Sequence, residues 1–121
     1  MLRIYVRLLA AAFVAIAVAA AVGIPNEGLG ASVLYAVSAA VFAYAGFSRT
    51  LSAIVVRTVA ALMGAFFLVS GLLFALAMGM LGFPFGGRGW EAGLAHAAIG
   101  GLTMACAALL PCDDDEGSAS R

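Results

Sequence analysis

Four long apolar stretches make up most of the chain, separated by short segments that hold nearly all of its charges and turn residues. Leu8 to Ile24 is uncharged and is followed by "PNEG". Leu29 to Ser48 is the second such run, closed by Arg49. Thr58 to Phe85 is the third and longest, and gives way to "GFPFGGRG"; Ala92 to Pro111 is the fourth. A helix needs about 20 residues, rising 1.5 Å each, to cross some 30 Å of hydrocarbon. Each run reaches or nearly reaches that length, and the third exceeds it, as a tilted or projecting helix would.

Backbone exposed to lipid must satisfy its own N–H and C=O groups, which leaves helices or closed barrels. Barrel strands alternate polar and apolar residues over about ten positions, and no run here alternates. Ala-rich stretches such as "LLAAAFVAIAVAAAVG" favour helix as well. The pattern therefore predicts an all-α fold: an integral membrane bundle of four transmembrane helices, at about 4–24, 29–48, 54–82 and 91–110, built as two helical hairpins over residues 1–111. Residues 112–121 form an acidic tail without apolar residues beyond Cys112 and Ala119, expected to be disordered and cytoplasmic.

Composition points the same way. Hydrophobic residues make up 65% and charged residues 10% of the 121, with a mean hydropathy of +1.15, against roughly half and a quarter in soluble domains. A soluble domain of this size still exposes about a third of its unfolded surface. Lipid is the solvent that accepts such a surface.

The first run has a second reading. Arg3 and Arg7 ahead of a stretch ending "AVAAAVG" resemble a secretory signal peptide cleaved near Ala19 to Ala21. The stretch is longer than the usual 7–15 apolar residues, so retention as a span is expected; cleavage would leave three helices.

All six basic residues are arginines. Arg3, Arg7, Arg49, Arg57 and Arg121 fall on one side of a four-span arrangement and only Arg88 on the other. The positive-inside bias then puts both termini in the cytoplasm of a multi-pass cell-membrane protein. Arg7 and Arg57, near helix starts, are expected to snorkel to the headgroups, and Tyr5 and Trp90 to anchor the two interfaces. Pro25 and Pro84 end the outgoing helices by removing a backbone donor. Glu27 and Glu91 then stand at the positive ends of the returning ones. Any pair of membrane hairpins shows the same layout, so it does not by itself indicate a duplication.

The last run, "WEAGLAHAAIGGLTMACAALLP", places the single histidine among small residues. Gly89, Gly93, Ala97, Gly101 and Ala105 recur every four positions along one helix face, as do Ala11, Ala15, Ala19 and Gly23 in the first run and Gly71, Ala75 and Gly79 in the third. Such rows admit a neighbouring backbone closely, and close packing drives association in lipid. They are expected to serve a compact bundle, or a contact with other membrane helices in a homo-oligomer or larger complex.

His96 shares a stripe with Gly100 and Thr103 beside that row. Its structural reading is an interhelical hydrogen bond to Ser32, Tyr35 or Ser70. The functional reading, open to any ionisable group within a membrane, is proton carriage or ligand gating, for which an imidazole is suited. Arg88 and Glu91, with Phe83, Phe85 and Trp90 in "FPFGGRGWE", form either a gate or an ordinary headgroup belt.

No second histidine or ligand-spaced cysteine pair suggests a metal or haem, and no phosphate-binding motif is present. Cys106 and Cys112 are too poorly placed for a disulfide on a reducing side; Cys112, juxtamembrane, is either lipidated or a plain thiol. No catalytic residue, metal, cofactor or nucleic-acid partner is expected.

In length and span number the chain resembles small multidrug transporters and fluoride channels. It lacks the carboxylate that the former carry inside the first helix, and the polar, Asn- and Phe-containing pore motifs of the latter; its sole Asn, Asn26, lies in a turn. "RTVAALMGAFFLVSGLLFAL" followed by "LAHAAIGGL" is similar to uncharacterised bacterial four-helix families, including the one that contains DoxX. That likeness covers less than half the chain and carries over no residue role. The reading is a non-enzymatic accessory or structural subunit acting through helix packing. Its alternative is an oligomeric channel or small-solute transporter using His96. An enzyme is not expected, because mid-depth positions hold too few acid–base groups.

Overall fold

The computed structural model of the chain describes residues 1–22, 28–81 and 89–112. Pro25, Asn26, Glu27, Phe83, Pro84, Phe85, Arg88 and the tail from Asp113 lie outside the described residues, as do the expectations that fall on them. Among the described residues the fold is all-α, with four helices: α1 (Leu2–Ala21), α2 (Gly28–Phe47), α3 (Ala53–Leu81) and α4 (Gly89–Leu109). Stretches of α1 (Leu2–Ala21), α3 (Ala53–Ala77) and α4 (Trp90–Leu109) are long and apolar enough to cross a membrane; the corresponding stretch of α2, Ser32–Phe47, is shorter.

The chain divides into two compact units. The first contains Met1–Val59 and the segment from Leu110; the second contains Ala60–Leu109. In the first, α1 and α2 run antiparallel, since Arg7 near the start of α1 meets Gly46 near the end of α2 while Ser32 meets Ala17. Beyond Leu2 and Arg3 at its start, the buried positions of α1 are Val6, Ala10, Phe13, Ala17 and Ala20, and those of α2 include Tyr35, Ala39, Phe42 and Gly46. Both series advance by alternating steps of four and three residues. That is the 3.5-residue period which holds a face against a neighbour crossing at a small angle. Phe13 fills the middle, 5.6 Å from the ring of Phe42 and 6.1 Å from that of Tyr35.

The expected α1 row does not form this contact. Ala11 and Ala15 are exposed and Ala19 is half-buried, whereas Ala10, Ala17 and Ala20 are buried. The physical reason is angular. A step of four overshoots the 3.6-residue turn by about 40°, so a strict four-residue row winds away from any partner within two or three steps.

The second unit repeats the geometry with smaller residues. Its contact positions are Gly64, Leu68, Gly71 and Ala75 on α3, and Gly93, Ala97, Gly100 and Met104 on α4. Both series again advance by steps of four, three and four. Gly64 faces Gly100 and Met104 while Gly71 faces Gly93 and Ala97, so the pair is antiparallel.

Large apolar side chains cover the outward faces as well as filling the buried positions. Leu8, Val18, Leu62, Leu73 and Leu102 are each more than half exposed, and only 22–28% of the three membrane-length windows is buried.

Candidate functional site

The expected site is built on α4. Glu91 stands exposed in its first turn, where unpaired N–H groups favour a carboxylate. His96, one turn further in, is half-buried. Its Nδ1–H donates to the carbonyl of Ala92 at 2.7 Å, and its ring lies against Phe67 with 5.9 Å between centroids and 28° between planes. A carbonyl only accepts, so the proton on Nδ1 follows from this bond.

Two of the three hydroxyls expected to meet His96 are engaged elsewhere. Ser32 donates to Ala17 O across the α1–α2 contact at 3.1 Å, and Ser70 donates to Phe66 O at 2.6 Å. The bond from His96 back to its own helix has three counterparts: Ser38 to Leu34 O, Ser70 to Phe66 O and Thr103 to Ile99 O. Each polar group reaches the carbonyl four residues back. In an apolar surrounding that satisfies a donor without a partner helix.

Beside His96 runs the glycine seam. A Cβ built on Gly100 would meet Gly64 O at 2.5 Å, and one on Gly64 would meet Gly100 O at 2.9 Å. Real Cβ atoms do not approach so closely, so the two backbones are in direct contact. Gly71, Ala75, Gly93 and Ala97 belong to this contact. Gly101 does not: it is half-buried and a Cβ there would meet only Leu68 Cδ1, at 3.9 Å. Ala105 is exposed. The seam leaves the four-residue row after Ala97 and passes to Gly100, on the stripe of His96 and Thr103, and to Met104. Gly79 belongs to α3, but its surroundings lie outside the described residues.

A second feature belongs to the first unit and to its arginines, of which Arg7 and Arg57 were expected at the headgroups. Arg3, only 7% exposed, donates to Ser48 O at 2.8 Å and Leu51 O at 2.5 Å. Arg7 Nε donates to Gly46 O at 2.8 Å, and Arg57 donates to Leu110 O at 3.2 Å. The last carbonyls of a helix have no intrahelical partner and carry partial negative charge. Neither α2 nor α4 has a basic residue in its last turn. Arginines from the starts of α1 and α3 take that place. The arginines' number and side are read from the sequence; it is the antiparallel pairing of α1 and α2 that sets the arginine-bearing start of α1 beside the end of α2.

The same end gathers both ends of the described chain. The N-terminal amino group and Leu2 N–H both donate to Pro111 O, at 3.1 and 3.0 Å, and Cys112 is buried with its Sγ 3.7 Å from Ala53 O. A fully buried thiol is poorly placed for lipidation. Among the described residues no three His, Cys, Asp or Glu side chains gather into a metal-binding group, and no buried side-chain polar atom lacks a hydrogen bond. In comparisons with known proteins, no family model matches this chain, and no curated protein or solved structure shows a significant match to it.

Proposed function

We propose that the chain is a multi-pass integral protein of the cell membrane that acts as a non-enzymatic accessory or structural subunit, through helix packing. The observation carrying this reading is the direct backbone contact of Gly64 with Gly100 and of Gly71 with Gly93, on helices whose outward faces are apolar. Helices gain little from apolar burial against each other in lipid, so backbone proximity and shape are what hold them. Ser38, Ser70, His96 and Thr103 each bond the carbonyl four residues back on their own helix, and Ser32 bonds Ala17 O across the α1–α2 contact, which suits a packing element.

Both termini face the cytoplasm in this reading. Arginine density at one end of the first unit supports that orientation, and so does the bond between the N-terminus and Pro111. The lipid bilayer is one partner and other membrane helices are the second. The decisive experiment isolates the protein from native membranes in mild detergent and identifies what accompanies it, for the parent chain and for His96→Ala. An unchanged set of partners supports a packing subunit. Flux of a small solute into proteoliposomes that is lost in His96→Ala would instead establish the channel or transporter.

A further inference from the structure

We propose that Arg7 and Arg49 bind the phosphate of an anionic phospholipid, at the arginine-bearing end of the α1–α2 pair; this rests on the membrane reading above. Arg7 is held in place before any ligand arrives. Its Nε–H donates to Gly46 O, its guanidinium carbon lies 5.0 Å from the centre of the Phe47 ring, and its stem passes over Gly46, where a Cβ would come within 2.9 Å of Arg7 Cγ. The glycine provides room for the stem, and the carbonyl and ring set the plane of the head.

Only Nε is engaged in that bond. The terminal nitrogens of Arg7 make no hydrogen bond with the described residues, and the side chain is exposed. A guanidinium with one edge tied down offers the other as a fork of donors matched to phosphate oxygens.

Arg49 stands two residues beyond Phe47, exposed, on a short segment that Arg3 grips on both sides through Ser48 O and Leu51 O. The segment carries a second fixed polar element, the Ser48 and Thr50 hydroxyls, 2.9 Å apart. Arg49 is thus presented from backbone held by Arg3, beside an Arg7 held by Gly46 O and the Phe47 ring.

Their surroundings favour a lipid over a soluble anion. Ile4, Leu8, Tyr44 and Phe47 are all more than half exposed on the same end of α1 and α2. Arg7 stands five residues into α1, about 7.5 Å at 1.5 Å per residue. An amphiphile with a phosphate above and acyl chains below fits both features at once, whereas inorganic phosphate uses only the first.

The test uses the full chain reconstituted in vesicles of phosphatidylglycerol and phosphatidylcholine in equal parts, then released for native mass spectrometry to count retained lipids. The parent protein is expected to retain phosphatidylglycerol in preference. Arg49→Gln, which removes no hydrogen bond or ion pair among the described residues, is expected to reduce that preference about fivefold, as one basic group at an anionic surface does. Arg7→Gln has a similar effect, and the double substitution leaves no preference. Equal retention of both lipids by the parent, or a preference that survives the double substitution, overturns the proposal. So does competition by inorganic phosphate, which would indicate a soluble anion site, or a rise in retained lipid when the chain is cut after Cys112, which would make the acidic tail the occupant. A chain that fails to float with vesicles of any composition refutes the membrane reading itself; one that floats but does not discriminate refutes only the headgroup site.

Discussion

A Cβ built on Gly71 would stand 2.6 Å from the carbonyl oxygen of Gly93, and one built on Gly93 would stand 2.7 Å from the carbonyl oxygen of Gly71. The two residues lock α3 and α4 reciprocally. Neither can accept a side chain unless the helices part.

That contact makes a paired prediction. Gly100→Ala, whose methyl would press on Gly64 O and the backbone of Leu68, should cost about 1–3 kcal/mol of stability, the usual range for overpacking. Gly101→Ala, one position along, meets only open space and Leu68 Cδ1. It should be neutral or should stabilise by up to about 1 kcal/mol through helix propensity. Thermal unfolding in detergent measures both. Equal effects at the two positions would refute the seam.

At the other unit, Arg3→Gln should be among the more damaging single changes. It removes a buried guanidinium from two carbonyls, Ser48 O and Leu51 O, and charged hydrogen bonds contribute about 1.5–3 kcal/mol. Arg3→Lys should recover only part of the loss, because one ammonium cannot reproduce a fork spanning two acceptors. The midpoint of chemical unfolding, compared across the three proteins, reads this directly.

His96→Ala should be mild. It removes a stacking partner of Phe67 and a bond to Ala92 O that the helix can replace with water or leave to its own ladder, a loss of about 1 kcal/mol by the scale of polar contacts in membranes. Co-purifying partners should be unchanged. A stability loss several times larger would show that His96 holds α3 and α4 together by more than its stacking on Phe67.

The bond between the N-terminal amino group and Pro111 O, both in the first unit, sets the start of α1 beside the segment from Leu110. Reporters fused separately to the two ends should therefore respond alike, and both as cytoplasmic. The intact mass of the purified protein should include α1, since its removal would uncover Phe42, which is 1% exposed and stacked on Phe13. Opposite reporter signals would separate the two ends and undo the arginine-tied arrangement.

Much of this was legible in residue order. Apolar runs and the charges between them locate four helices to within about three residues, because a helix must be this long and this uncharged to lie in lipid. Small residues at Gly71, Gly93 and Ala97 mark where close approach is feasible. What periodicity did not convey is which small residues touch. Ala11, Ala15, Gly101 and Ala105 are chemically indistinguishable from Ala10, Ala17 and Gly100, and a four-residue row looks as regular as a four-three alternation. Only the crossing of two real helices selects the 3.5-residue face. The arginines divide in the same way. Their number and side are written in the chain, but whether a guanidinium meets a headgroup or a helix carbonyl depends on which helix end the fold brings beside it. That is a matter of distances between residues more than 35 positions apart, which no local pattern encodes.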